Sequence, residues 1–388
     1  MSTIRLYNKK NTTIVVTVLL FLSSFVLMEH VSASSINSPQ NGVVWEKSQY
    51  SLEDADLKLR DVKFINSTHG WIVGEDRTGT YGGIVFSTND SGESWILQLN
   101  NTSPYHSQID ILESQIIWIT GQGSLFYSIN GGETWNESMV VTESSGMSFV
   151  KFINDTHGWT ATMGKLYMTV DGGSNWQIVS GWSFSGDVPR NMHFTSTMDI
   201  WTIGFFGIYY SSDGGVSWSQ KHDEGGWALS FIDDLEAWAV ADNMLAHMVD
   251  GQTWVEKTPP RDTPFSSSTP YLTDVCFIDA NNGWIVGGIT DDVHIIYTPN
   301  GGQDWYEQST PTHLITRLMA VDFINITHGW AVASDGTIIR TQHGTGLGTR
   351  LWTGLTDPVF LSTAGVFAAV LVIFSGCVFY WRKKRKQR

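Results

Sequence analysis

Two short signatures alternate along this chain, and their alternation restricts the fold more than any other feature. The first reads FINSTHGWIVG at 64–74 and returns as FINDTHGWTAT at 152–162, FIDANNGWIVG at 277–287 and FINITHGWAVA at 323–333. Looser copies lie at 194–204 and 231–241, with a fragment at 116–121. Its tryptophans are Trp71, Trp118, Trp159, Trp201, Trp238, Trp284 and Trp330, spaced 47, 41, 42, 37, 46 and 46 residues apart. The second signature is S/T-x-D/N-x-G-x-x-W. It runs from Thr88 to Trp95, Ser128 to Trp135, Thr169 to Trp176, Ser211 to Trp218 and Thr298 to Trp305, with a worn copy ending at Trp254. A repeated unit of about 40–45 residues decides the architecture before any single residue can.

The second signature has a physical logic. Ser or Thr closes one strand, and Asp90, Asn130, Asp171, Asp213, Asp250 or Asn300 bonds back to the local backbone. The glycines supply positive φ, and Trp95, Trp135, Trp176, Trp218, Trp254 or Trp305 opens the next strand. This is the Asp-box, or BNR, pattern. Each unit reads as four short strands: F-I before the first turn, the GW strand, an apolar stretch such as GIVFST, and the strand after the box. Four strands in a unit of this length fit a β-propeller blade, so the expected fold is an all-β, seven-bladed propeller over 41–350. The last unit lacks a box Trp. VVWEKS at 43–48 resembles TWVEKT at 253–258 and DWYEQS at 304–309, which predicts that 43–50 supplies the missing outer strand of the seventh blade.

The ends differ from the repeats. Arg5, Lys9 and Lys10 precede an apolar run from Ile14 to Met28 and a small-residue site at Val31-Ser32-Ala33, the pattern of a secretory signal peptide over 1–33. Val359 to Trp381 is apolar and long enough to span a bilayer, predicting a transmembrane helix over 359–381. The basic tail 382–388 then places the propeller outside the cytoplasm, as a single-pass type I membrane protein. Nine of the 23 basic residues lie in these two ends, and Glu29 is the one acidic residue there. The rest of the chain therefore carries 14 basic and 37 acidic residues, a net charge of −23. That balance excludes nucleic acid as a partner. Asn66, Asn89, Asn100, Asn101, Asn136, Asn154 and Asn325 each begin N-x-S/T, candidate glycosylation sites for an extracytoplasmic domain.

Catalytic and metal patterns are missing. No HExxH, CxxC or G-x-S-x-G occurs. His69, His157 and His328 occupy equivalent turns and read as turn formers, as do the Asp-box carboxylates. Cys276 alternates with Val275 and Phe277 and reads as buried and inert, while Cys377 falls in the apolar C-terminal run. No cofactor is expected. Sialidases share the box, but their early F-R-I-P type motif is missing and they have six blades, so a glycan-active or glycan-binding propeller stands as the alternative reading.

The paired signatures, as at 152–176 and 277–305, resemble the photosystem II assembly and stability factor family, the Ycf48/HCF136-like propellers, over about 43–343. The resemblance implies a seven-bladed, non-enzymatic, extracytoplasmic scaffold that binds protein partners and helps assemble a membrane complex. It also implies a partly basic binding surface. On the innermost strands, the residue two before each signature Phe is apolar (Val62, Val150, Met192, Leu229, Val275, Val321), so the positions between should face the channel. These hold Arg60, Asp61, Lys63, Lys151, Arg190, His193, Asp274 and Asp322, the candidate partner-binding set. The Pro-rich strip Thr258 to Phe265 is a second candidate. The bilayer itself is the expected partner of the C-terminal helix.

Overall fold

In the computed structural model, the structure describes residues 45–341, apart from 51–55, 79–81, 102, 104, 114, 140–145, 183, 185, 258–270, 290–291 and 312–315. The expected signal peptide, transmembrane span, basic tail and Pro-rich strip lie outside the described residues. Among the described residues no helix is long and apolar enough to cross a membrane.

Seven antiparallel sheets follow one another along the chain. Blade 1 comprises Leu57–Phe64, Gly70–Asp76, Gly82–Thr88 and Ser94–Asn101. Blade 2 comprises Ile109–Glu113, Ile116–Thr120, Ser124–Ser128 and Asn136–Met139, and blade 3 Val150–Phe152, Gly158–Thr162, Lys165–Thr169 and Gln177–Ile178. Blade 4 runs from Asn191–Phe194 to Ser219–His222, blade 5 from Ala228–Phe231 to Trp254–Lys257, and blade 6 from Leu272–Phe277 to Tyr306–Glu307. Blade 7 takes Leu318–Asn325, His328–Ala333 and Ile338–Thr341, and its fourth strand is Trp45–Lys47. The first strand of blade 7 packs on that of blade 1, which closes the ring.

The closure is narrower than 43–50. Trp45 pairs with Thr341 and Lys47 with Ile339. The chain then leaves blade 7, and Gln49–Tyr50 runs parallel to the outer strand of blade 1, opposite Ser94 and Trp95. One short segment thus staples two blades. The Trp45 indole is buried, and its Nε1 donates to Gln308 Oε1 of blade 6 at 2.9 Å.

The two signatures together build the joints between blades. Phe64 faces Gly70 across the first hairpin, where a Cβ would stand 2.6 Å from the Phe ring, so glycine lets the ring lie flat over the strand. Freed in this way, Phe64 stacks on Trp330 of the preceding blade at 3.4 Å and 8°. Phe323 stacks likewise on Trp284 (3.7 Å, 8°), and Phe152 on Trp118 (4.6 Å, 20°). The box Trp then closes each joint edge-on, as Trp95 does against Phe64 and Trp305 against Trp238 and Phe277. The second box glycine abuts the same indole from the other side. A Cβ on Gly92 would come 2.8 Å from Trp330 Nε1, and one on Gly173 would enter the ring of Trp118. Ser91 O accepts from Trp330 Nε1 at 2.8 Å. The box is therefore an inter-blade joint as well as the hairpin turn expected from the sequence.

Candidate binding site at the channel mouth

The innermost strands surround a cavity of about 920 Å³ to which all seven blades contribute. Apolar side chains such as Val62, Met192, Val275 and Val321 turn outward into the blades, and this forces the intervening polar ones toward the axis. Arg60, Asp61, Lys63, Lys151, Arg190, His193 and Asp274 line the cavity. Asp322 stands behind Lys63, 3.2 Å from its Nζ. The sequence-derived set is thus brought together, but it divides into two layers with different work.

The deeper layer is structural. Carboxylates on one blade accept backbone hydrogen bonds from the next. Asp61 accepts from Ile109 N at 3.0 Å, Asp110 from Phe152 N at 2.8 Å, Asp274 from Val321 N at 2.8 Å and Asp322 from Phe64 N at 2.7 Å. Ser230 does the same for Phe277 N at 2.8 Å. Lys63 and Lys151 neutralise Asp322 and Asp110, the latter pair 2.6 Å apart. Burial pushes the Asp61 carboxyl up to about 6, with Lys63 and two backbone donors pulling it down. Burial raises Asp274 to about 7. His193 is lowered to about 4 by burial and stacks on Phe231 at 4.1 Å and 3°. Cys276 is half-buried in the channel wall rather than in the blade core. Its thiol is pushed up to about 12, chiefly by burial, which disfavours the thiolate.

The outer layer is basic and aromatic. First strands begin at this end of the ring, so Arg60, Arg190 and Arg317 stand at the rim. Arg190 lies between Phe205 and Trp227, its guanidinium carbon 3.5 Å from each ring centroid. Arg60 sits over Tyr105 at 4.9 Å and Arg317 over Tyr271 at 5.1 Å. Arg60 also pairs with Glu75 at 3.1 Å, and Glu75 in turn with Arg77 at 2.9 Å. Among the described residues no ion pair forms to Arg190, and its buried Nε has no hydrogen-bond partner. Burial lowers its pKa to about 10, which leaves it charged at neutral pH. Rings hold the three forks in place while their remaining N–H groups stay available for a carboxylate. Lys58, whose pKa is lowered by burial and by Arg60, adds to the same rim.

Sequence reasoning missed Arg317, Tyr105, Phe205, Trp227, Tyr271 and Asp110. Most lie in connections between strands, where the repeat has no consensus. Arg317 lies six residues before Phe323, level with Lys58 rather than Arg60, while Met319 takes the position of Arg60; both strands carry the same register shift there. Blade 2 has Ile111 where other blades have Phe, so alignment on Phe passed over Asp110.

The turn histidines have the turn role expected. Asn66 Oδ1 accepts from Thr68 N at 2.9 Å and His69 N at 2.8 Å, and Asn154 and Asn325 repeat the pattern with His157 and His328. The box carboxylates are held the same way: Asp213 accepts from Ser217 N at 2.8 Å and Asp171 from Asn175 N at 2.8 Å. Among the described residues no group of three or more His, Cys, Asp or Glu is placed to hold a metal ion.

Comparison with known proteins places the chain. The family model described as photosynthesis system II assembly factor YCF48 matches residues 37–342. This chain belongs to the Ycf48 family. It is 26% identical over 256 residues to a photosystem II assembly lipoprotein Ycf48 of Synechococcus sp. (strain CC9902), covering 63% of this chain and 73% of that protein. Two solved structures share the fold. A YCF48 bound to a D1 peptide is 18% identical with a TM-score of 0.60, covering 76% of this chain and 96% of that one. YCF48 from Cyanidioschyzon merolae is 18% identical with a TM-score of 0.58, covering 77% and 98%. Family membership makes this propeller a relative of assembly factors rather than of the six-bladed sialidases considered from the box alone.

Proposed function

We propose that this Ycf48-family propeller is a non-enzymatic scaffold, anchored through Val359–Trp381 and facing the outside of the cytoplasm, that holds a carboxylate-bearing segment of a membrane protein at its arginine-lined mouth. The observation that carries this reading is Arg190, clamped between Phe205 and Trp227 and, among the described residues, in no ion pair, with Asp187 and Asp242 acting on it only through space. In a chain of net charge −15, Lys58, Arg60, Arg77, Arg190 and Arg317 lie at or beside one rim. A site so built favours an acidic segment or a chain-terminal carboxylate, because a guanidinium held by its face against a ring can still donate from its edge to a carboxylate. Support also comes from the family, one of whose solved members carries a D1 peptide.

Sequon use belongs to the same proposal. Asn66, Asn154 and Asn325 keep Oδ1 engaged by the turn, which leaves Nδ2 to carry a glycan. Asn89, Asn100 and Asn136 are exposed. Asn101 buries its Nδ2, so no glycan is expected there; it is expected at Asn66, Asn89, Asn100 and Asn325, while Asn136 and Asn154, beside the turns that carry exposed Ile129 and Val170, should stay bare.

The test is a photocrosslinking residue at Met163 or Met319, both in the cavity wall. Captured material should be an extracytoplasmic segment of an integral membrane protein, and Arg190→Glu with Arg60→Glu should abolish the capture. Capture that is unchanged in the double variant, or capture of glycan alone, overturns the proposal.

A further inference from the structure

Both ends of the described chain leave the ring on one face, and it is the face opposite the arginine mouth. In an antiparallel meander, the turn after the first strand and the Asp-box turn lie at the same end of every blade. Third strands run toward that end, so Ile338–Thr341 finishes there, and Trp45, paired with Thr341, starts there. Hydrogen bonds hold the two turns of each blade together: Gly172 N to Thr156 O at 2.9 Å, Gly214 N to Met198 O at 2.9 Å and Gly251 N to Leu235 O at 3.0 Å.

This face carries an arc of exposed aliphatic side chains. Ile129, Val170, Met198, Val216, Leu235 and Val249 stand on the turns of blades 2 to 5 and are 51–67% exposed. Apolar side chains recurring at equivalent turn tips of a strongly acidic chain need a reason, since turn tips ordinarily carry polar residues. The neighbouring box carboxylates are spent on the turn backbone, Asp250 accepting from Thr253 N at 2.6 Å and Asp213 from Ser217 N at 2.8 Å.

We infer that this arc rests on the lipid surface, so that the arginine mouth opens away from the bilayer. The inference relies on the membrane-anchor reading above. Seventeen residues, 342–358, separate the end of the last strand from the apolar segment. Such a tether spans at most roughly 55–60 Å and keeps the face at high local concentration beside the membrane, where shallow aliphatic contacts suffice. The six side chains include no aromatic residue or arginine, the anchors that dominate protein interfaces. They include no cation either, so the surface they fit is the neutral interfacial layer of a bilayer rather than anionic headgroups.

The experiment uses the full chain with Cys276→Ser and Cys377→Ala, reconstituted in phosphatidylcholine vesicles. Spin labels are placed singly through Val216→Cys, Leu235→Cys and, on the opposite face, Phe206→Cys. The first two labels should lose accessibility to a water-soluble nickel chelate and gain it to oxygen, while the third stays water-exposed. Labels equally water-exposed on both faces of a chain that remains with the vesicles overturn this inference and leave the anchor standing. Loss of the chain from the vesicles in high salt overturns the anchor and the inference with it. Protection of Val216 that appears only when membrane proteins are added assigns the arc to a protein partner and overturns the lipid assignment.

Discussion

If the second box glycine seats the indole of the preceding blade, then a single methyl at Gly173 should open a joint. Two separate costs arise in Gly173→Ala. The residue has φ +79, a left-handed conformation that costs a non-glycine residue roughly 1–2 kcal/mol. The added Cβ would also lie more than about 1 Å inside the roughly 3.5 Å optimum against the buried Trp118 ring, and overpacking of that kind costs about 1–3 kcal/mol. Gly186 separates the two effects. It has φ +85, and nothing stands within 4 Å of a Cβ built there. Gly186→Ala should therefore lose only the backbone cost, about 1–2 kcal/mol, and Gly173→Ala about 2–5 kcal/mol. Urea unfolding of both variants, followed by near-ultraviolet circular dichroism of the tryptophans, measures the difference. Equal midpoints for the two variants would show that the indole does not depend on that glycine, and the account of the joint would fail.

Trp45→Ala removes a buried indole and the bond to Gln308, so it should destabilise the ring by about 3–5 kcal/mol, and deletion of 41–50 should abolish cooperative unfolding. A shortened chain melting like the full one would refute the closure. The pH dependence has two opposed parts. His106 is lowered by burial to about 4 in the folded state and His193 likewise, so their contribution to stability is present above about 6.5 and is lost as pH falls toward 4. Asp61 and Asp274 are raised to about 6 and about 7, so theirs is present below about 3.8 and is lost as pH rises through those values. Thermal midpoints of the native chain should change little between pH 4 and 6.5, whereas Asp61→Asn with Asp274→Asn should become clearly more acid-labile. An unaltered profile in that variant would refute the opposition. Asp322→Ala should leave Phe64 N without its acceptor and Lys63 unpaired, a loss of about 2–3 kcal/mol readable by urea unfolding.

The blade count was legible because each GW tryptophan fills an inter-blade joint, so losing one would cost a whole interface. The closure by Trp45 was legible for the same reason: an orphan outer strand has to pair somewhere. Pairing of Gln49–Tyr50 with blade 1 was not, since two residues carry no period. At the site, alternation placed Arg60, Lys63, Lys151 and Arg190 on the channel wall, because their apolar neighbours had to face the blades. It could not separate the deep carboxylate layer from the rim, which is set by which backbone N–H comes within reach of each carboxylate. Nor could it find Phe205, Trp227 or Tyr271. Clamping an arginine requires rings from connections that differ in length between blades, and no repeat pattern encodes those.

The stapling segment also has a consequence for how the protein is made. Trp45 is synthesised near the beginning, but its partner Gln308 lies 263 residues later and Thr341 later still. At roughly 5–20 residues per second, the outer strand of the last blade emerges many seconds before its partners exist. During that interval its buried face has nothing to cover it, and the ring cannot lock. Blades 1 to 6 can assemble in order on the nascent chain, each resting on the one before, but the finished molecule appears in a single late event when 338–341 meets 45–47. Until then it is an open stack with two bare ends, the state in which it most needs protection from other unfolded chains.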